Sequence, residues 1–262
     1  MKIQNIAILL LLIAFPACTT GVVEEASPHG ETVSEAAQLP FPEGEYDTIA
    51  TNITYEEYRG LEVTTSKDNA PGVILIHEWW GLNDNMQATA EKLGTQGYNV
   101  LAVDLYNGTV AETSSEAREL VTQVDQEEAL ENIEAAQRYL ESQGSSTVAS
   151  LGFCFGGGQS MQFAVAQNNP DASIIFYGDP IENETQIQQI EQPLLGIFGQ
   201  NDTTIPLENV ERLQSNLQGE NQSIHVYDDA NHAFANPSGD RFNEEAATDA
   251  WQKTLQFLQD IE

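Results

Sequence analysis

Residues 72–78, GVILIHE, are apolar almost without a break, and the same kind of run returns at 98–104 (YNVLAVD), 147–153 (TVASLGF), 172–178 (ASIIFYG) and 193–199 (PLLGIFG). A strand that is apolar on both faces has to be covered on both faces, as in a parallel sheet buried between helices. Helical spacing fills the intervals. Residues 83–96 set Met86, Ala90 and Leu93 on one side, 114–143 form a long or broken helical stretch, and 159–167, 207–217 and 244–258 follow later runs. Strands at 48–58 and 61–66 are expected to open the domain and one at 223–229 to close the sheet. The alternation, with right-handed crossovers, predicts an α/β fold of three layers, a mostly parallel sheet with helices on both faces. No repeat of 20–50 residues interrupts it, which excludes a solenoid.

The first eighteen residues have a different character. Lys2 precedes an apolar stretch from 6 to 15, the length of a signal-peptide core and too short to span a membrane comfortably. The stretch ends at Pro16, Ala17 and Cys18, which resembles a bacterial lipoprotein cleavage site with Cys18 as the lipidated residue, although Phe15 is unusual three positions before that cysteine. Residues 19–45 are rich in Glu, Ser, Thr, Ala and Pro without periodicity and are expected to be a flexible acidic tether, leaving 46–262 as the folded domain. The expectation is an exported protein, periplasmic or extracellular, touching a membrane only through lipid on Cys18. With 41 acidic and 9 basic residues the formal net charge is −32, a surface that repels nucleic acid and anionic lipid. A monomer is expected.

In an open parallel sheet reactive groups gather at the carboxyl ends of the strands. His77 and Glu78 end one run, Asp104 another, Cys154 a third, Asp179 a fourth, Asn201 and Asp202 a fifth, and residues 228–232 a sixth. Cys154 stands in Gly152-Phe-Cys154-Phe-Gly156, between a strand and a helix, with Gly157 and Gly158 following. That spacing is the cysteine form of a nucleophile elbow, a tight corner that lifts the reactive atom clear of the sheet. No Gly-Lys-Ser/Thr follows, so a phosphate loop is disfavoured; a plain tight turn is the bland alternative. Once Cys18 is acylated or removed, Cys154 has no partner for a disulfide.

A thiol nucleophile needs a base, and the base an orienting carboxylate. Hydrolases on this sheet present nucleophile, acid and histidine in that chain order, and Cys154, Asp202 and His232 follow it. His29 lies in the tether, His225 within a strand pattern, and His77 before the cysteine, which favours His232 as base. Asp202 is favoured as acid over Asp179, Asp228 and Asp229 because it follows the penultimate strand; Asn201 or Thr203 is left to cap the next helix. The scattered histidines and the single remaining thiol lack metal-ligand spacing, so neither metal nor organic cofactor is expected.

HEWWGLN (77–83), DLY (104–106), GFCFGG (152–157), GQND with IP (199–206) and NHAF (231–234), in this order, resemble the dienelactone hydrolases, the carboxymethylenebutenolidase-like branch of the α/β-hydrolases. The resemblance implies a Cys154, His232 and Asp202 triad, an oxyanion hole from the backbone N–H groups of Phe155 and Trp79, and a Glu78 that holds the resting thiol. It also implies two arginines that clamp a substrate carboxylate, but those positions are Gly108 and Asn236 here. Arg241 and Arg59 are the candidate replacements. Trp79, Trp80, Tyr106, Phe155 and Phe234 are expected near the site, with Tyr106 and Phe234 against substrate, and core packing is the alternative for these aromatics. The expected activity is hydrolysis of a small, neutral ester, lactone or thioester. A binding module that keeps the fold without catalysis is the alternative.

Overall fold

The computed structural model describes residues 39–262; the expected signal peptide, Cys18 and residues 19–38 of the tether lie outside the described residues. Strands β1 (Thr48–Tyr55) and β2 (Tyr58–Thr65) form a hairpin whose turn is Glu56 and Glu57, with Glu56 left-handed at φ 48°. The rest alternates: β3 (Gly72–Ile76), α1 (Asp84–Thr95), β4 (Asn99–Val103), α2 (Ser114–Gln123), α3 (Gln126–Ser142), β5 (Val148–Phe153), α4 (Phe155–Ala164), β6 (Ala172–Phe176), α5 (Glu184–Ile187), β7 (Leu194–Gly199), α6 (Leu207–Asn216), β8 (Gln222–Tyr227) and α7 (Glu244–Asp260). The sheet order is β1-β2-β4-β3-β5-β6-β7-β8, antiparallel across β1, β2 and β4 and parallel from β4 to β8.

Strand β3 shows why the central runs are apolar throughout. Val73 and Leu75 enter one core with Met86, Ala90 and Leu93 of α1 and Trp251 of α7, while Ile74 and Ile76 enter another with Ile133, Ala136 and Leu140 of α3. Alternate side chains thus meet helices on opposite faces.

Local chemistry sets the helix boundaries. The stretch 114–143 breaks because Val124 turns extended and Asp125 caps α3, its carboxylate accepting from the N–H groups of Glu127 and Glu128. Helix α4 starts at Phe155 rather than at residue 159; the three glycines that hide its periodicity occupy its first turn. The packed chain also begins before Tyr46. Phe41, inside the segment read as tether, meets the Trp251 ring at 4.0 Å between centroids, and the Glu45 N–H donates to the Thr95 carbonyl at 2.9 Å.

Candidate active site

Cys154 lies between β5 and α4 at φ 53° and ψ −115°, a conformation that costs a side-chain-bearing residue on the order of 1–3 kcal/mol and persists only where the surroundings enforce it. They do so on both sides. The Cys154 N–H donates to the Phe176 carbonyl at 2.9 Å, and its carbonyl accepts from the Gly158 N–H at 3.1 Å. A Cβ on Gly152 would lie 2.0 Å from the Gly156 carbonyl oxygen, and one on Gly156 2.3 Å from that of Ile76. Strand and helix meet this closely only because those side chains are missing.

His232 reaches the corner from the loop after β8. Its Nε2 is 3.0 Å from Cys154 Sγ and its Nδ1 2.8 Å from Asp202 Oδ2. Asp202, after β7, accepts through Oδ1 from the N–H groups of Thr204 at 2.7 Å and Ile205 at 2.9 Å. The carboxylate therefore orders its own turn. Neither Asn201 nor Thr203 caps α6, whose N-cap is Pro206 without a side-chain bond. Burial works to raise the Asp202 value, but the bonds from His232 and the two backbone groups outweigh it and hold the carboxyl below its ordinary range. For His232 burial favours the neutral ring; the bonds to Asp202 and Cys154 overcome it and raise the imidazole to about 9. Asp179, Asp228 and Asp229 are all exposed, whereas Asp202 is buried against His232.

His77 is wholly buried and structural. Its Nε2 accepts from the Leu105 N–H at 3.2 Å, so its Nδ1–H donates to the Glu78 carbonyl at 2.6 Å, and burial depresses its basicity. The next residue, Glu78, is 3% exposed. Desolvation dominates there and lifts the carboxyl to about 7, against the opposing pull of Asn236, His232 and Arg241.

Asn236 is the residue whose role the sequence concealed, since it reads only as a missing arginine. Its Oδ1 accepts from the N–H of Ser238 at 2.9 Å and from its hydroxyl at 2.7 Å, so its Nδ2 is left to donate to Glu78 Oε2 at 2.6 Å. A side-chain amide following a catalytic-type histidine by four positions was the available signal.

Trp79 follows Glu78 and lies edge-on to Trp80 at 5.0 Å, while Phe155 opens α4. The first N–H groups of a helix have no partner within it, so that of Phe155 is free to serve a ligand. Tyr106 is 6% exposed and packs on His77 and Phe155, and burial first, then the nearness of Cys154, pushes its hydroxyl well above the ordinary range. Phe234 corrects the expectation: it has no exposed surface and packs into the core on Tyr177 and Tyr227 instead of facing substrate. At the first clamp position Gly108 has φ 88°, and a Cβ there would meet Arg59 Nη1 at 3.9 Å. Arg241 is exposed yet acts on Glu78 and Tyr177 electrostatically. Among the described residues no group of three or more His, Cys, Asp or Glu side chains is arranged to hold a metal, and no helix is long and apolar enough to cross a membrane.

Residues 59–262 match the model of the dienelactone hydrolase family. The chain is 28% identical to a provisionally named carboxymethylenebutenolidase of Saccharolobus solfataricus, over 76% of this chain and 93% of that protein. It is 30% identical to protein usf of Aquifex pyrophilus, over 76% of this chain and 91% of that one. Among solved structures, a provisional dienelactone hydrolase from Klebsiella pneumoniae superposes with a TM-score of 0.72 at 23% identity, covering 82% of this chain and 99% of that one, a likeness of fold.

Proposed function

The chain belongs to the dienelactone hydrolase family, a hydrolase acting on ester bonds, and on that footing we propose that it cleaves a small neutral ester, lactone or thioester with Cys154 as nucleophile. One observation carries the reading: a single imidazole lies within hydrogen-bonding distance of both the thiol and a buried carboxylate. His232, raised to about 9 by its bonds to Asp202 and Cys154 against the pull of burial, is placed to give a proton to a leaving oxygen.

Sγ attacks the carbonyl carbon, and the oxygen takes up the charge, accepting from the N–H groups of Phe155 and Trp79. The C–O bond breaks as His232 gives its proton to the leaving oxygen, which leaves an acyl-thioester on Cys154. Neutral His232 then takes a proton from water, hydroxide adds to the thioester, and the acid departs as the thiolate and imidazolium re-form. Asp202 keeps the ring in register and charged when needed.

Gly108 offers no side chain and Asn236 is committed to Glu78 and Ser238, which supports a neutral acyl group. Export with lipid on Cys18 is part of the same proposal and rests on residues 1–18 alone; the mass of the mature N-terminal peptide tests it. For the chemistry, the enzyme is mixed with an activated ester, quenched in acid and weighed intact. An acyl adduct on Cys154, absent from Cys154→Ala, is expected, and an alanine variant that still turns over sinks the reading.

A further inference from the structure

On the side of the sheet facing α1 and α7, Glu78, Asn85, Met86, Thr89, Tyr177 and Trp251 are among the walls of a small cavity. It leaves about 10 Å³ for the centre of a water molecule, close to what a single water requires. Three of these residues carry a buried polar atom without a hydrogen-bond partner: Glu78 Oε1, the Tyr177 hydroxyl and Trp251 Nε1. Their residues come from the end of β3, the end of β6 and the middle of α7, and are 3%, 0% and 1% exposed. A hydrogen-bond interaction with the Tyr177 hydroxyl is among the influences that favour the charged form of Glu78, although neither Oε1 nor the hydroxyl has a partner within hydrogen-bonding geometry.

A buried polar atom without a partner costs about 1–3 kcal/mol, and native proteins leave few of them. Three carried by residues that line one cavity of single-water size share one remedy. We propose that the cavity is a built site for one water molecule bridging Glu78 Oε1, the Tyr177 hydroxyl and the Trp251 indole N–H, and that this water lets the Glu78 carboxyl change its protonation state in place.

Each of the three atoms has a partner in both states. With Glu78 charged, the water donates to Oε1 and accepts from the indole N–H and the phenol. With the proton on Oε1, the carboxyl donates to the water, the water donates to the phenol oxygen, and the indole bond is unchanged. Asn236 cannot follow such a change from the other side, because its Oδ1 is tied to Ser238 and only its N–H faces the carboxyl. The water site stands on geometry alone; its bearing on thiol control rests on the hydrolase reading and on the family resemblance by which Glu78 holds the resting thiol, since in this structure Glu78 is bonded to Asn236 and the Cys154 sulfur to His232.

A high-resolution crystal structure of the unaltered protein decides the first part. One water within hydrogen-bonding distance of all three atoms is expected, and a dry cavity, or a Tyr177 hydroxyl bonded directly to Oε1, overturns it. In solution, 15N-tryptophan labelling should show a cross-peak from a long-lived water to the Trp251 indole N–H, assigned by its loss in Trp251→Phe. The second part is read from the infrared band of protonated Glu78, identified by its disappearance in Glu78→Gln. That band should move in Trp251→Phe and in Tyr177→Phe; a band unmoved in both overturns the coupling. An unaltered enzyme inactive on every ester, with the water and the band shift present, would count against the hydrolase reading and leave this site standing.

Discussion

Cys154 carries its strain in the backbone, at φ 53° and ψ −115°, so truncating its side chain leaves the corner's geometry as it was. Cys154→Ala should keep its melting temperature within a few degrees while losing ester turnover, as calorimetry beside an ester assay will show. Cys154→Ser tests the base. An imidazole poised to hold its proton beside sulfur is a poor acceptor for the far less acidic serine hydroxyl, and kcat/KM should fall by about a hundredfold, on the order of 3 kcal/mol. A serine enzyme as fast as the cysteine one means the division of roles is wrong. Glu78 makes a separate stability prediction. Its folded value of about 7 lies above its ordinary 4.5, so the folded state binds the proton more tightly than the unfolded chain does. The carboxyl does no harm below pH 4.5, and stability is lost as pH rises from there through 7. Glu78→Gln can keep accepting from Asn236 without the charge, so it should match the parent at pH 4 and exceed it at pH 8 by on the order of 3 kcal/mol. Equal denaturation midpoints for the two proteins at pH 8 would remove the buried-charge argument.

At the scale of elements, the crossing of β5, α4 and β6 depends on absent side chains at some glycines and not at others. A Cβ on Gly152 meets the Gly156 carbonyl oxygen at 2.0 Å, and one on Gly178 meets the Gly157 carbonyl carbon at 2.2 Å; backbone cannot give way as a flexible side chain can. At Gly158 the first atoms met are those of Asp179 at 3.7 and 3.8 Å, ordinary contact. Gly152→Ala should therefore destabilise by several kcal/mol or abolish soluble folding, whereas Gly158→Ala should be neutral or gain up to about 1 kcal/mol from helix propensity. Thermal melts of the two variants check the contrast, and equal losses at both positions would refute it. The same glycines show why sequence reading stopped short. Strands buried on two faces announce themselves by unbroken apolar runs, and the residues of the proposed triad stand at their ends in a recognisable order. The first turn of α4 has no apolar period to read because glycines fill it. The single turn of α5, four residues long, is too short for any period. The docking of Phe41 on Trp251 joins residues far apart in the chain with no local pattern. Asn236 and the cavity by Glu78 were hidden for a similar reason, since each depends on side chains brought together by several elements.

The whole molecule adds a field. A formal net charge of −32 makes the folded state repel itself, and screening should relieve that, so the melting temperature should rise between about 0.1 and 1 M sodium chloride. The same field acts on substrate. A carboxylate approaching Cys154 meets long-range repulsion and then a site where one clamp position is glycine and the other is an amide held by Glu78 and Ser238. The cation nearest the first position is Arg59, exposed on β2, and an exposed guanidinium gives an anion about 0–1 kcal/mol where a desolvated bidentate pair gives several times that. Desolvating a carboxylate without such a pair costs about 1–3 kcal/mol, so a neutral short-chain ester should exceed a matched anionic one in kcat/KM by tenfold to about a hundredfold. High salt should narrow the gap by removing its long-range part and leave the desolvation part. Installing arginine at Gly108 is a poor test, because φ 88° strains any side chain there. Arg59→Gln is cleaner: it should leave the neutral-to-anionic ratio nearly unchanged. If it instead cuts anionic turnover tenfold while sparing the neutral ester, Arg59 is the clamp, moved from the β4 loop to β2, and the preference for neutral substrates fails.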